Sequence, residues 1–191
     1  MKKLMIMAVA LLTAGIASAQ VTYSLGYVKS DAPVKVGNAT TASHLNGFTI
    51  SVDDNINLAG DLNVAPGVGM VMSFREKDNL KYTRFGLYVP VDFNYGFALG
   101  SDVKLFVYAG PTFDLGLTYK GKYNGNTWNM YDKDQGNLSR FDIQLGGGIW
   151  VVLKDQFRFQ VGYKAGMLNL SKADGATCKN NVLSASIGYI F

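Results

Sequence analysis

Seven charged residues stand inside otherwise apolar or glycine-rich stretches of this chain: Arg84, Asp92, Asp114, Arg140, Asp142, Arg158 and Lys164. Charges held in a folded interior must be paired, because an isolated one carries a large desolvation cost. Gathered in one place, these seven would form either an ion network that plugs an interior or the charged lining of a narrow ion path. Asp114 precedes the segment 120–137 by about as many residues as Asp142 follows it. An antiparallel pairing across that segment would therefore set the two carboxylates side by side. They would need cations, and Arg84, Arg140 and Lys164 are the available ones.

Other residue types carry weaker signals. His44 is the only histidine and adjoins Ser43. Nucleophilic catalysis needs a base within hydrogen-bond reach and a third group to orient it. Neighbours along a strand point to opposite faces, so this pair is a poor catalytic couple and no catalytic residue is assigned. Asp132-Lys-Asp134-Gln-Gly136-Asn137 has part of a calcium-loop pattern but lacks the closing Glu. Neither a metal nor a cofactor is expected. Gly146-Gly-Gly148 is not followed by a helix, so it is no phosphate loop; it would instead keep a wall thin. Cys178 is the only cysteine, and no internal disulfide can form. Tyr123, Trp128 and Tyr131 lie in the long segment 120–137, where amphipathic aromatics suit a recognition surface. The competing reading is a loop folded over whatever lies beneath it.

The elements that must position these residues follow from hydropathy. Met1 to Ala19 reads as a secretory signal, with Lys2 and Lys3, an apolar run from Leu4 to Ile16, and Ala17-Ser18-Ala19 at the cleavage site. The expected organisation is a signal peptide at 1–19 and one domain at 20–191. Eighteen basic residues face fourteen acidic ones, and loss of Lys2 and Lys3 leaves sixteen against fourteen. That excess is too small to imply nucleic acid as a partner. Beyond Gln20 the pattern alternates with a period of two through eight stretches. In the fourth, Phe85, Leu87, Val89, Val91, Phe93 and Tyr95 oppose Arg84, Gly86, Tyr88, Pro90, Asp92 and Asn94. Each stretch thus has one oily face and one polar, glycine-rich face.

The oily face carries about four to six large residues per stretch, more than the interior of an eight-stranded barrel can hold. The stretches run about 9–13 residues, the length of tilted membrane strands rather than ordinary globular ones. No helical period remains after the signal to cover an exposed sheet. Turned outward, the oily face suits hydrocarbon, and closure of the sheet satisfies every backbone group. The expected fold is an all-β, eight-stranded antiparallel up-and-down transmembrane β-barrel. Its oily face carries aromatics near strand ends, Tyr27, Phe74, Phe85, Tyr95, Tyr119, Phe141, Phe157 and Tyr189, as an interfacial girdle. Breaks near 30–44, 75–80, 120–137 and 171–180 become surface loops, and those near 54–60, 96–102 and 154–156 periplasmic turns. Arg84, Asp114, Arg140, Asp142 and Lys164 should then lie toward the surface side, with Asp92 and Arg158 lower. Inward glycines such as Gly110, Gly146, Gly148 and Gly162 would leave room for water. Pro66, Pro90 and Pro111 sit awkwardly inside strands, because each removes a ladder hydrogen bond; bulges or irregular pairing would accommodate them.

Leu87-Tyr-Val-Pro90, Tyr108-Ala-Gly-Pro111, Gly146-Gly-Gly148, Val161-Gly-Tyr163, Asn181-Val-Leu-Ser184 and Gly188-Tyr189-x-Phe191 resemble the small outer-membrane β-barrel family widespread in Bacteroidetes, similar in shape to OmpX and the OmpA barrel. The resemblance covers nearly all of the chain beyond the signal, and it implies that prolines at such positions are tolerated. It implies a barrel without a common reaction, and no peptidoglycan-binding domain is expected after it. Tyr189 and Phe191 resemble the signal read by barrel-assembly machinery. The expected role is non-enzymatic: structure, adhesion or partner binding through surface loops, with outer-membrane lipid, the assembly machinery and a surface or envelope protein as partners. A narrow low-conductance channel, or a lipid-modifying enzyme, is the alternative.

Overall fold

A computed structural model describes residues 21–37, 39–41, 44–77 and 79–191. The expected signal at 1–19 and Ser43 lie outside these residues. Eight long strands run β1 (Val21–Asp31), β2 (His44–Asp54), β3 (Leu62–Lys77), β4 (Leu80–Ala98), β5 (Val103–Tyr123), β6 (Phe141–Leu153), β7 (Phe157–Gly166) and β8 (Asn181–Ile190). Each is antiparallel to its neighbours in the chain, and β8 pairs with β1 from Thr22↔Ile190 to Asp31↔Asn181. The sheet therefore closes into an up-and-down barrel. No helix of the described residues is long and apolar enough to cross a membrane.

The alternation read from sequence sorts side chains in or out of the barrel. In β6, Asp142, Gln144 and Trp150 are buried while Phe141, Leu145, Ile149 and Leu153 are exposed. Among the described residues the usual order is inverted: Thr22, Ser73 and Asn94 are the most deeply buried side chains, whereas Leu25 and Ile50 are 57% and 58% exposed. A water-soluble protein buries the opposite set. A continuous apolar outer face around a polar interior fits lipid.

Pro66, Pro90 and Pro111 cause no bulge. Pro66 pairs with Val91, Pro90 with Thr112 and Pro111 with Leu145, and the β3–β4 and β4–β5 ladders skip the next residues and resume in the same register. The one bulge on the β4–β5 seam lies higher. Phe85 opposes Thr118 but Gly86 opposes Gly116, so Leu117 is an extra residue. Parity flips above it. Tyr119, expected in the lipid-facing girdle, turns instead toward Tyr82 and Tyr131, with ring centroids 6.1 and 5.9 Å away.

Strand length is uneven. β4 has 19 residues and β5 has 21, against 10 each in β7 and β8. At about 3.3 Å per residue the longer pair exceeds what a ~30 Å hydrocarbon core needs even when tilted. The surplus projects at the long-loop end, where β3 runs to Lys77 and β4 starts at Leu80, inside the loop expected near 75–80. Asn124-Gly125, both at positive φ (46° and 86°), turns the chain back so that Asn126–Asn129 pairs with the tip of β5. Farther round the rim, Val34–Val36, Ala39–Thr41 and Ala176–Cys178 form a separate small sheet that ties the first long loop to the last.

Candidate functional site

Three ion pairs occupy the lumen at successive levels, and two of them span it. Lys164 on β7, Gly146 on β6, Gly110 on β5 and Asp92 on β4 share one row of the sheet. With only hydrogens on the two glycines between them, the Lys164 Nζ reaches across to donate to Asp92 Oδ1 at 2.6 Å and Thr112 Oγ1 at 2.7 Å. The lower pair repeats the device in the other direction. Arg158 on β7 stands beside Gly188 on β8, which stands beside Ser24 on β1. Its guanidinium passes over that glycine to donate to Ser24 Oγ at 3.1 Å and to Asp53 Oδ2 on β2 at 2.6 Å. The upper pair, Arg84–Asp114, joins adjacent strands β4 and β5.

Aromatic side chains occupy the space that glycines leave. A Cβ at Gly162 would lie 1.9 Å from the Tyr108 hydroxyl, and one at Gly69 would lie 2.3 Å from the Tyr88 ring. Tyr108 stacks on Trp150 at 5.0 Å, and Arg158 covers the Trp150 ring at 5.2 Å. With Ala65 and Val152 these rings form a small apolar plug toward the periplasmic end. The lumen cavity above it is only about 130 Å³. The room expected for water is thus largely taken by tyrosine.

Above the Arg84–Asp114 pair, the loops enclose a second cavity of about 480 Å³. Its walls include Val34, Leu45, Met130, Leu138, Leu170 and Cys178. The loop 124–140 dips into it: the Tyr131 hydroxyl sits where a side chain at position 116 would begin, and Arg84 donates to it. Arg140 donates to the carbonyls of Leu117 at 2.6 Å and Gly116 at 3.3 Å, fixing the bulge, and stacks on Tyr131 at 4.6 Å. Burial pushes the Tyr131 phenol pKa up, with Arg84 opposing. Burial likewise pushes the Cys178 thiol up. At 3% exposure that thiol is closed to an intermolecular disulfide.

Residues 7–191 match the family model described as outer membrane protein beta-barrel domain. The chain belongs to this outer-membrane barrel family. No curated protein matches it at significance. Among solved structures, this outer-membrane barrel is similar to Neisserial surface protein A (16% identity, 88% of this chain and 97% of that one, TM-score 0.51). It is also similar to Ail, the attachment invasion locus protein of Yersinia pestis (17% identity, 91% and 100%, TM-score 0.49). At such identities the likeness is one of fold alone.

Within this outer-membrane barrel, five of the seven charges singled out from sequence meet in the lumen pairs. Asp142 does lie directly opposite Asp114, yet Lys164 goes to Asp92 and Arg140 to the bulge, so neither offsets it. Asp53 is the anion that the sequence reading left out of the charge set; it stands on the polar face of β2, next to Asp54 at the strand end. Of the three loop aromatics, Tyr123 is 47% exposed, Trp128 packs half-buried over Gly121, and Tyr131 points inward rather than out. Asp132 caps a tight turn, its carboxylate accepting from the Asp134 N–H at 3.0 Å and its carbonyl from the Asn137 N–H at 2.8 Å, which accounts for the run once compared with a calcium loop. His44 is exposed at the start of β2. Tyr189 and Phe191 pack edge-to-face at 4.8 Å on the outer periplasmic rim, with Phe191 against Tyr23 at 5.4 Å.

Proposed function

We propose that this outer-membrane barrel is a non-enzymatic component of the cell envelope that binds a surface or envelope protein partner through its extracellular loops. One observation carries the reading: ion pairs fill the lumen at three levels and leave about 130 Å³ of space, while the loop end is built into paired strands that hold a fixed surface. The projecting β4–β5 ribbon with Asn126–Asn129, and exposed Tyr123 beside Trp128, supply a rigid aromatic edge of the kind that partners bind. Export uses the signal at 1–19 with cleavage after Ala19. Tyr189 and Phe191 serve recognition by the assembly machinery, and the apolar belt is solvated by outer-membrane lipid.

Crosslinking on intact cells followed by mass spectrometry tests this reading. It expects crosslinks from Lys120 or Lys122, on the projecting ribbon, to one reproducible partner, and crosslinks confined to the barrel itself would overturn it. A narrow channel is the second reading, favoured by a polar lumen whose charges sit in pairs. Planar-bilayer recording separates the two, since steady conductance that changes with Arg158→Ala would support the channel. Unchanged lipid A and phospholipid profiles on deletion and overexpression are expected if the chain is no lipid-modifying enzyme.

A further inference from the structure

The upper cavity is lined by two carboxylates, Asp114 and Asp142, and by three guanidiniums, Arg75, Arg84 and Arg140. Asp114 and Asp142 face each other across the β5–β6 seam. Arg84 pairs with Asp114. Asp142 is 2% exposed, and its Oδ1 has no hydrogen-bond partner. Its Oδ2 accepts a long 3.4 Å bond from Gln144 Nε2, and the Ile143 and Leu168 N–H groups also lie toward the carboxylate. The cations that could have served it are committed elsewhere: Lys164 to Asp92 and Thr112, Arg140 to the carbonyls of the Leu117 bulge. Arg75 also lines the cavity, from β3 on the far wall. A buried acceptor left unmatched is costly unless something fills it.

The space above Asp142 is large enough for a filler. At about 480 Å³ the cavity falls in the range of small-molecule sites. Its walls are largely apolar, with Val34, Leu45, Met130, Leu138 and Leu170 among them. Two carboxylates are too few for a divalent metal, and no group of three or more His, Cys, Asp or Glu converges among the described residues. The complementary shape is one charged donor on an apolar body.

We propose that the loop-enclosed cavity is a binding site for a small organic ammonium ion, with the ammonium donating to Asp142 and the hydrocarbon part against the loop walls. The amine gives Asp142 the charged donor that none of the lining arginines supplies. It enters from the outer side, because ion pairs fill the lumen beneath.

The test uses the whole folded barrel in nanodiscs and three probes of matched shape: phenethylammonium, phenethyl alcohol and phenylpropionate. Binding is read by two-dimensional NMR and by the rate at which a small thiol reagent reaches Cys178, which lines the cavity. The ammonium is expected to bind at least about tenfold more tightly than the alcohol, the scale of one charge-assisted hydrogen bond, and to slow Cys178 labelling. Asp142→Asn should erase that preference while the alcohol binds as before. Heat-modifiable mobility on gels confirms that the variant barrel is folded, and Asp155→Asn, at an exposed carboxylate on the periplasmic turn, serves as a second variant that leaves Asp142 in place and keeps the preference. Equal binding of all three probes, tighter binding of phenylpropionate, or no shift up to about 10 mM ammonium, would each overturn the proposal; tighter phenylpropionate would assign the cavity to an anion held by its arginines, and no shift would assign the floor to water or to a proton shared by the carboxylates.

Discussion

Replacing Lys164 by Met leaves Asp92 buried opposite two glycines with no cation. The ammonium and carboxylate side chains are only 14% and 9% exposed and lie 2.6 Å apart. At an effective dielectric constant of about 20 their attraction is on the order of 6 kcal/mol. Desolvation offsets part of it, so the loss on removing one partner should be about 3–5 kcal/mol. Asp92→Asn should cost a similar amount, because it strands the lysine. The double variant removes both charges and should return to within about 1 kcal/mol of the parent, since a buried pair is worth little against a neutral replacement. Urea unfolding of the barrel in lipid vesicles, followed by tryptophan fluorescence and gel mobility, measures all four corners of the cycle. A single Lys164→Met cost below about 1 kcal/mol would refute the reasoning, and so would a double variant as unstable as the two singles added together.

Three further outcomes follow from the same geometry. Gly162→Ala should destabilise the barrel by about 1–3 kcal/mol through collision with the Tyr108 hydroxyl, and Tyr108→Phe should recover most of that loss in the same urea assay. Val161→Arg places a cation on the outer face midway along β7, where Val161 is 50% exposed; it should cost about 2–4 kcal/mol in a bilayer, and a cost near zero would mean that this face does not meet hydrocarbon. Because burial raises the Tyr131 pKa above its ordinary 10.0, the unfolded loop loses its phenol proton first as the solution becomes alkaline. Closure of loop 124–140 should be complete below pH 10 and weaken as pH climbs from there through the folded-state value; limited proteolysis against pH reads this, and Tyr131→Phe should flatten the curve.

The barrel was legible because a membrane imposes one rule on every strand. Phe85 through Tyr95, or Phe141 through Leu153, repeat the rule often enough to fix strand number, parity and direction. The pairing of Asp114 with Asp142 followed from their spacing about a loop. What escaped the sequence depends on single residues or distant partners. Leu117 is one extra residue, yet it reverses the facing of Tyr119. Asp53 lies at the end of its strand, where a carboxylate equally suits a turn. The roof of the upper cavity joins Val36 to Ala176, and neither segment alone carries a pattern that names the other. Tyr108 and Trp150 stood on the polar face in plain view, but only the neighbouring glycines reveal that they fill it.

Strand β7 holds the opposite wall of the molecule twice, through Lys164 to β4 and through Arg158 to β2. Both links are chords rather than local ties, so neither can form until the sheet has curled round on itself. A half-threaded barrel therefore carries the acids of its early strands unneutralised, and arrival of the seventh strand relieves them together. Completion becomes a cooperative latch: the late-made strand brings the counter-charges, and a chain interrupted before it would be marked as unfinished by its own electrostatics.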